Sequence, residues 1–366
     1  MICQNNKNLR GKGHNPQRGI AQSARRLTAF LLSVFAAVAL LLTSCSTNIK
    51  PQTPPKEDLR PVGNVSGREV YFDELRYVAV NCREELSAKY GEDIWDDPAK
   101  AEEHRAELEE MVTRGLASSY YAVLKLADDY YLGGADAMLS EKAIVDAVAE
   151  EVNKTAEECG GKKQYLKTLE ENGLTDRLFR FYLSIEEMAT ELTYILKTDL
   201  GVIPSSVSEL EEYMHSDKFI RTNHIYIKGL EEDRLELAKE LREQLLKSDT
   251  PDLELVLLKG RYDSDFSITT THGTYFARYS SDYGDDYEKA AFALEVGGIS
   301  DIVKGNAGYF VIMRLPVEDD WLNYNFEDFG NAIIGSEFNS MVEEYKSTLV
   351  FEFNELGKET DLVTLK

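Results

Sequence analysis

The chain has 366 residues, room for two or three domains and a sizeable core. It carries 41 Lys/Arg against 65 Asp/Glu, a net charge of −24. Residues 1–45 hold six Lys/Arg and no acid, so removing those positive charges leaves −30 on the remainder. So acidic a body speaks against nucleic-acid binding, which needs Lys/Arg against phosphate. It leaves a soluble, self-repelling surface, with basic clients or cations as possible ligands.

Residues 1–26 are polar and basic and end in Arg25-Arg26; Leu27 to Ser44 then runs for 18 residues without a charge. A basic segment before a short apolar run has the form of a secretory signal, although about 20 apolar residues also suffice to span a bilayer. The end of the run, Leu42-Thr43-Ser44-Cys45, resembles a bacterial lipobox. That resemblance implies that residues 1–45 are a lipoprotein signal and that Cys45 is the lipidation site. The membrane would then be a partner, and the body would sit on the extracytoplasmic face of a bacterial cell membrane. Residues 46–60, with Thr53-Pro54-Pro55-Lys56, read as a linker between lipid and body.

Val62 to Tyr71 is a short β-prone start, and helices follow. Phe72 to Tyr90 is the first, broken by Gly91 and Asp96-Asp97-Pro98. Ala99 to Leu132 reads as one long helix ended by Gly133-Gly134. Ser140 is the expected N-cap of the next, which carries Ile144, Val145 and Val148 and stops at Gly160-Gly161. Thr175 caps the clearest helix, with Leu178, Phe181, Ile185, Met188, Leu192 and Ile195 at three- and four-residue spacing. Pro204 separates it from a short helix, Val207 to His215. The aromatics Tyr120, Tyr121, Tyr130, Tyr131, Tyr182 and Tyr194 line either a cradle for unfolded chains or an ordinary core. Cys82 and Cys159 form either one disulfide or two free thiols. No pair among His104, His215, His224 and His272 has metal-ligand spacing, so no metal is expected.

From Phe219 the pattern changes. The run to Lys228 alternates, with Ile225 and Ile227 on one side and His224 and Tyr226 on the other. Glu231 to Lys247 is amphipathic through Leu235, Ala238, Leu241 and Leu245. Thr250-Pro251 starts a second helix, reaching Leu258, and a third spans Tyr287 to Leu294. Ile302-Val303 and Tyr309 to Leu315 supply later strands. After Pro316 and an acidic loop with Trp321, Phe326 to Leu349 is a long amphipathic helix that needs a surface for its stripe. Val350 to Phe353 adds a strand whose partner the sequence does not reveal.

The opening Arg221-x-x-His224-Ile225-x-Ile227-Lys228 resembles the parvulin family of peptidyl-prolyl isomerases. So does the close, Ala291-Phe292-x-Leu294-x-x-Gly297-x-Ile299-Ser300-x-x-Val303, followed by Gly308-Tyr309-x-x-Ile312. Gln164-Tyr165-Leu166 through Asn172-Gly173-Leu174-Thr175-Asp176-Arg177-Leu178-Phe179-Arg180 resembles a motif of the helical region of SurA- and PrsA-type foldases. These resemblances imply an α+β fold. A mostly helical chaperone-like domain at 61–217 is completed by the helix of 317–366. An inserted parvulin-like domain at 218–316 has a four-stranded antiparallel sheet with helices around it.

The chemistry so implied is rotation about an X-Pro bond, over a barrier of about 18–20 kcal/mol. It needs no nucleophile and no cofactor, only an apolar seat for the proline ring and a polar cluster that favours the twisted amide. Position by position, the resemblance makes His224 the first histidine of that cluster. Asp265, in Tyr262-Asp263-Ser264-Asp265, takes the Cys-or-Asp position. Phe276 and Tyr287 take the aromatic positions of the proline pocket, with Phe292 and Phe310 beside them. The chain also departs from the family. Phe310 replaces a second histidine, Ala307 replaces a hydroxyl residue, and Tyr279 to Asp286 holds no Met. Thr271-His272-Gly273-Thr274 replaces a glycine-rich segment, where His272 is either a substitute histidine or an exposed loop residue. His224 is either functional or a structural histidine, and Asp265 either a site residue or a turn cap.

Three functions fit. The first is a membrane-anchored extracytoplasmic foldase that isomerises X-Pro bonds and assists newly secreted or unfolded polypeptides. The second is a degenerate chaperone of the same architecture that only binds such clients. The third is a solute-binding lipoprotein, which the long helical first half opposes.

Overall fold

The structure, a computed structural model, describes residues 57–265 and 272–365. The expected signal, Cys45 and most of the 46–60 linker lie outside the described residues.

The chain opens as a hairpin. β1 (Pro61–Val65) and β2 (Arg68–Tyr71) pair antiparallel around Ser66 and Gly67, both at positive φ. The other edge of β1 is taken by β7 (Phe351–Phe353), through Gly63↔Phe353 and Val65↔Phe351. A side chain at Gly63 would overlap the Glu352 carbonyl, so glycine is what lets the two ends of the chain close a three-stranded sheet.

Helices α1 (Phe72–Tyr90), α2 (Pro98–Leu116), α3 (Ser119–Tyr130), α4 (Gly134–Leu139), α5 (Lys142–Glu158), α6 (Lys162–Glu171) and α7 (Asp176–Thr198) build the main core. The expected helix Ala99 to Leu132 is in fact two. Ala117 leaves the helical region at ψ 55° and Ser118 is extended at ψ 172°. The reason lies in burial. α2 buries one stripe, Leu108, Val112 and Leu116, whereas α3 buries the consecutive Tyr121-Ala122-Val123-Leu124. A single straight amphipathic helix cannot bury four successive positions; the break lets α3 run through the interior.

Ser140 does not cap α5. Its hydroxyl donates to the Asp136 carbonyl at 2.8 Å and closes α4, leaving Glu141 as N-cap. Thr175 is the cap expected, its hydroxyl oxygen accepting from Leu178 N–H at 3.1 Å. Cys82 and Cys159 are both free thiols, and burial pushes the Cys82 thiol up to about 11. Among the described residues no helix is long and apolar enough to cross a membrane.

α8 (Val207–Met214), held by a Ser206–Glu209 capping box, leads into the second sheet. Its strands are β3 (Phe219–Lys228), β4 (Thr274–Ala277), β5 (Val303–Gly305) and β6 (Gly308–Leu315), antiparallel in the order β4-β3-β6-β5. Ile225, Ile227, Val311 and Met313 face α9 (Glu232–Lys247) and α10 (Pro251–Tyr262). The opposite face meets α11 (Asp285–Phe292) through Phe276, Tyr287, Ala291, Phe310 and Ile312. At Thr250 the side chain makes no capping bond, while Pro251 opens α10 as expected.

Past the sheet come α12 (Asp319–Tyr324), α13 (Phe326–Ser347) and α14 (Glu355–Glu359). α13 stitches the molecule together. Ile333 joins Leu210, Tyr213, Met214, Phe219 and Ala277 in a junction cluster, while Ile334, Phe338 and Val342 enter the main helical core. The fold is thus mostly helical, with a four-stranded antiparallel sheet between α8 and the returning C-terminal helix.

Candidate functional site

His224 owes its place to strand period. Thr222, His224 and Tyr226 project from the face of β3 that α11 covers, while Ile225 and Ile227 enter the α9–α10 face. β4 pairs only with Phe219 to Thr222, so the edge of β3 beyond Thr222 needs other partners. The end of α10 supplies them. Tyr226 N–H donates to Asp263 Oδ1 at 2.8 Å and Ser264 N–H donates to the Tyr226 carbonyl at 2.8 Å. Lys259 Nζ donates to the His224 carbonyl at 3.1 Å and pairs with Asp263 at 2.5 Å. This edge closure delivers Asp265 to the imidazole.

His224 is fully buried, with Nε2 3.1 Å from Asp265 Oδ2 and Nδ1 3.0 Å from Tyr287 Oη. Tyr283 O–H donates to the same Asp265 oxygen at 3.1 Å, and Tyr287 Oη lies 3.0 Å from Thr222 Oγ1. Aromatic rings wall the imidazole. Phe310 stands edge-on at 5.2 Å between centroids, Tyr287 at 5.4 Å and Tyr283 at 4.7 Å. Tyr226 stacks on Phe310 at 4.6 Å. Phe276 lies 6.2 Å from Tyr287 and meets Phe292 edge-to-face at 5.7 Å, so Phe276 is one ring and Phe292 two rings removed from the imidazole.

Burial, and then the neighbouring Lys259 charge, pull the His224 imidazole down to about 4, against the opposing carboxylates of Asp263 and Asp265. The ring is therefore neutral near pH 7. Burial likewise drives the Tyr287 phenol well above its ordinary value, so it stays protonated.

The geometry brings together His224, Asp265, Phe276, Tyr287 and Phe310, with Phe292 behind Phe276. It assigns the turn-capping work to Asp263, whose Oδ1 also accepts from Asp265 N–H at 3.2 Å; the Asp265 carboxylate turns to the histidine. His272 does not substitute for the absent histidine. It belongs with Arg221, on the opposite alternation of β3 from His224. Its ring stacks on Trp321 at 3.9 Å and its Nδ1 lies 2.5 Å from Glu318. Arg221 binds the His272 and Pro316 carbonyls there and pairs with Glu318 at 2.9 Å.

Three contributors escape the sequence reading: Thr222, Lys259 and Tyr283. Thr222 was accessible from the same alternation that places His224. Tyr283 sits in the Tyr279–Asp286 segment that lacks Met, and its ring packs against the imidazole. Nothing in the local pattern marks Lys259.

No family model matches the chain. It is 22% identical over 334 residues to the foldase protein PrsA of Caldanaerobacter subterraneus subsp. tengcongensis, covering 88% of this chain and 95% of that relative. It is 25% identical over 175 residues to a foldase protein PrsA of Staphylococcus aureus, covering 45% of this chain and 50% of that protein. Among solved structures it matches foldase protein PrsA from Streptococcus pneumoniae at 18% identity, covering 65% of this chain and 86% of that chain, with TM-score 0.31. The likeness to the first relative runs along nearly the whole of both chains and supports a PrsA-type foldase.

Proposed function

We propose that this protein is a membrane-anchored extracytoplasmic foldase that isomerises X-Pro bonds in unfolded or newly secreted polypeptides. Cys45 carries its lipid. Residues 61–217 with 317–366 form the client-holding body and residues 218–316 the isomerase domain. In this reading His224 and Asp265 are the polar cluster, and Phe276, Tyr287, Phe292 and Phe310 seat the proline ring.

The observation that carries the reading is the His224–Asp265 pair, 3.1 Å apart and set into an aromatic basin. Rotation about the amide separates nitrogen lone pair from carbonyl, so its charge distribution changes on twisting. Fixed dipoles beside a desolvated proline favour the twisted form without reorganising. A neutral imidazole and a carboxylate are such groups, and neither has to exchange a covalent bond with substrate.

A second reading, a client-binding domain without turnover, is favoured by one observation. The Tyr283 ring packs against the His224 imidazole, 4.7 Å between centroids, and its hydroxyl donates to the Asp265 oxygen that His224 also meets. The test is prolyl isomerisation of a short peptide by the protein and its His224→Ala variant, run beside suppression of aggregation of an unfolded client. Turnover that disappears in His224→Ala supports the isomerase reading. No turnover with aggregation still suppressed supports the binding reading. Neither activity overturns both.

A further inference from the structure

We infer that the Tyr287 hydroxyl is a positioning group for His224, donating to Nδ1 and so holding the orientation of an imidazole whose Nε2–H faces Asp265, and that Thr222 in turn orients that hydroxyl. The inference rests on the isomerase reading for its catalytic consequence, though not for its structural part.

Donors and acceptors around the ring decide where its proton sits. A neutral imidazole has one N–H and one lone pair. Nε2 lies 3.1 Å from an Asp265 oxygen, and a carboxylate only accepts. The proton therefore sits on Nε2. With the opposite tautomer a lone pair would face the carboxylate inside a buried site, where unpaired polar groups are most costly. Nδ1 is then the acceptor, and its contact at 3.0 Å is Tyr287 Oη, so the phenol donates. That leaves the Tyr287 oxygen to accept, and Thr222 Oγ1 at 3.0 Å donates to it. The chain Thr222 O–H to Tyr287 O–H to His224 Nδ1, then Nε2–H to Asp265, has a single direction throughout.

Each member is held against rearrangement. Thr222 and His224 are fully buried and Tyr287 is 1% exposed. Two residues apart on β3, Thr222 and His224 present their polar atoms to the same side of the sheet. Phe310, edge-on to the imidazole, has no donor to offer, and the protonated phenol cannot dissociate to reverse the chain. A phenylalanine at 287 would keep the ring wall and lose only the orientation of the imidazole.

The experiment compares the protein with Tyr287→Phe and Thr222→Val, both close in shape to the parent residue. Nitrogen-15 chemical shifts of the His224 ring report the tautomer, and kcat and KM are measured on one X-Pro peptide. We expect an Nε2–H ring in the parent whose Nδ1 shift carries the mark of an accepted hydrogen bond, and loss of that mark with a less ordered ring in Tyr287→Phe. We expect kcat lower by about tenfold, the effect of one hydrogen bond, with KM little changed, and a smaller effect of the same kind in Thr222→Val. Adding Phe310→His to Tyr287→Phe places a new donor beside the imidazole and is expected to restore part of kcat. An Nδ1 shift and ring order unchanged in Tyr287→Phe overturn the inference. An Nδ1 shift that moves in Tyr287→Phe while the parent has no turnover upholds the positioning role and removes the isomerase reading alone.

Discussion

The ring of Tyr283 stands edge-on over the imidazole of His224, centroids 4.7 Å apart at 79°, with its hydroxyl donating to Asp265. It also meets Tyr287 at 4.7 Å and Phe310 at 5.8 Å. A proline ring seated against His224 has to displace these contacts. Each aromatic pair is worth about 0.5–1.5 kcal/mol, so the covered state opposes binding measurably. Tyr283→Ala is expected to tighten binding of an X-Pro peptide by about tenfold, close to 1.4 kcal/mol, read by titration calorimetry. Unchanged or weaker affinity would place the seat elsewhere.

Asp73, fully buried, gathers three charged or capping contacts. Thr175 O–H donates to it at 2.8 Å, and Arg177 donates through Nε at 3.0 Å and Nη2 at 2.5 Å. The Thr-Asp-Arg run at the start of α7 is thus locked to the start of α1. Removing one partner of a buried pair leaves the other uncompensated. Asp73→Ala is expected to cost about 3–5 kcal/mol in urea unfolding, and a loss under about 1 kcal/mol would mean that Arg177 finds water instead.

What the sequence shows and hides follows from how local the cause is. The stripe of α7, its Thr175 cap and the alternation of β3 are set by neighbouring residues, and all appear where expected. The α2–α3 break is not local, because it depends on the tertiary contacts that bury the consecutive Tyr121-Ala122-Val123-Leu124 of α3. Nor is the pairing of β7 with β1, which joins opposite ends of the chain. The site divides the same way. His224 follows from its strand, and Asp265 from its motif. The Lys259 and Asp263 edge closure and the Tyr283 cover need the tertiary arrangement.

α13 connects two clusters, and that makes it a single point of failure. Phe338 is 2% exposed in the main core, and Ile333 is fully buried in the junction. Phe338→Ala is expected to destabilise by about 3–5 kcal/mol. Ending the chain after Pro316 removes α13 and the β7 edge together. It should leave the helical body aggregated while the four-stranded sheet keeps its own two faces. Hydrogen exchange would show this as protection retained at His224–Lys228 and lost at Val123–Ala127. Protection surviving in both would refute the dependence.

Glu186 sits on α7 at 7% exposure. Burial first, then the Glu187 and Glu151 charges, raise its carboxyl to about 8; Glu74 is raised by burial to about 7. For such a group the folded state keeps a proton that the unfolded chain has released between about pH 4.5 and 8. Its stabilising contribution is full below 4.5 and is lost as pH rises to 8. His224, lowered to about 4, has the opposite sign, and its contribution falls as pH drops from 6.5 to 4. Glu186→Gln removes only the first effect. The variant is expected to exceed the parent in unfolding free energy by about 2–4 kcal/mol near pH 9, with the difference closing near pH 4.5. Parallel stability curves across that range would show that Glu186 ionises in the folded protein without penalty.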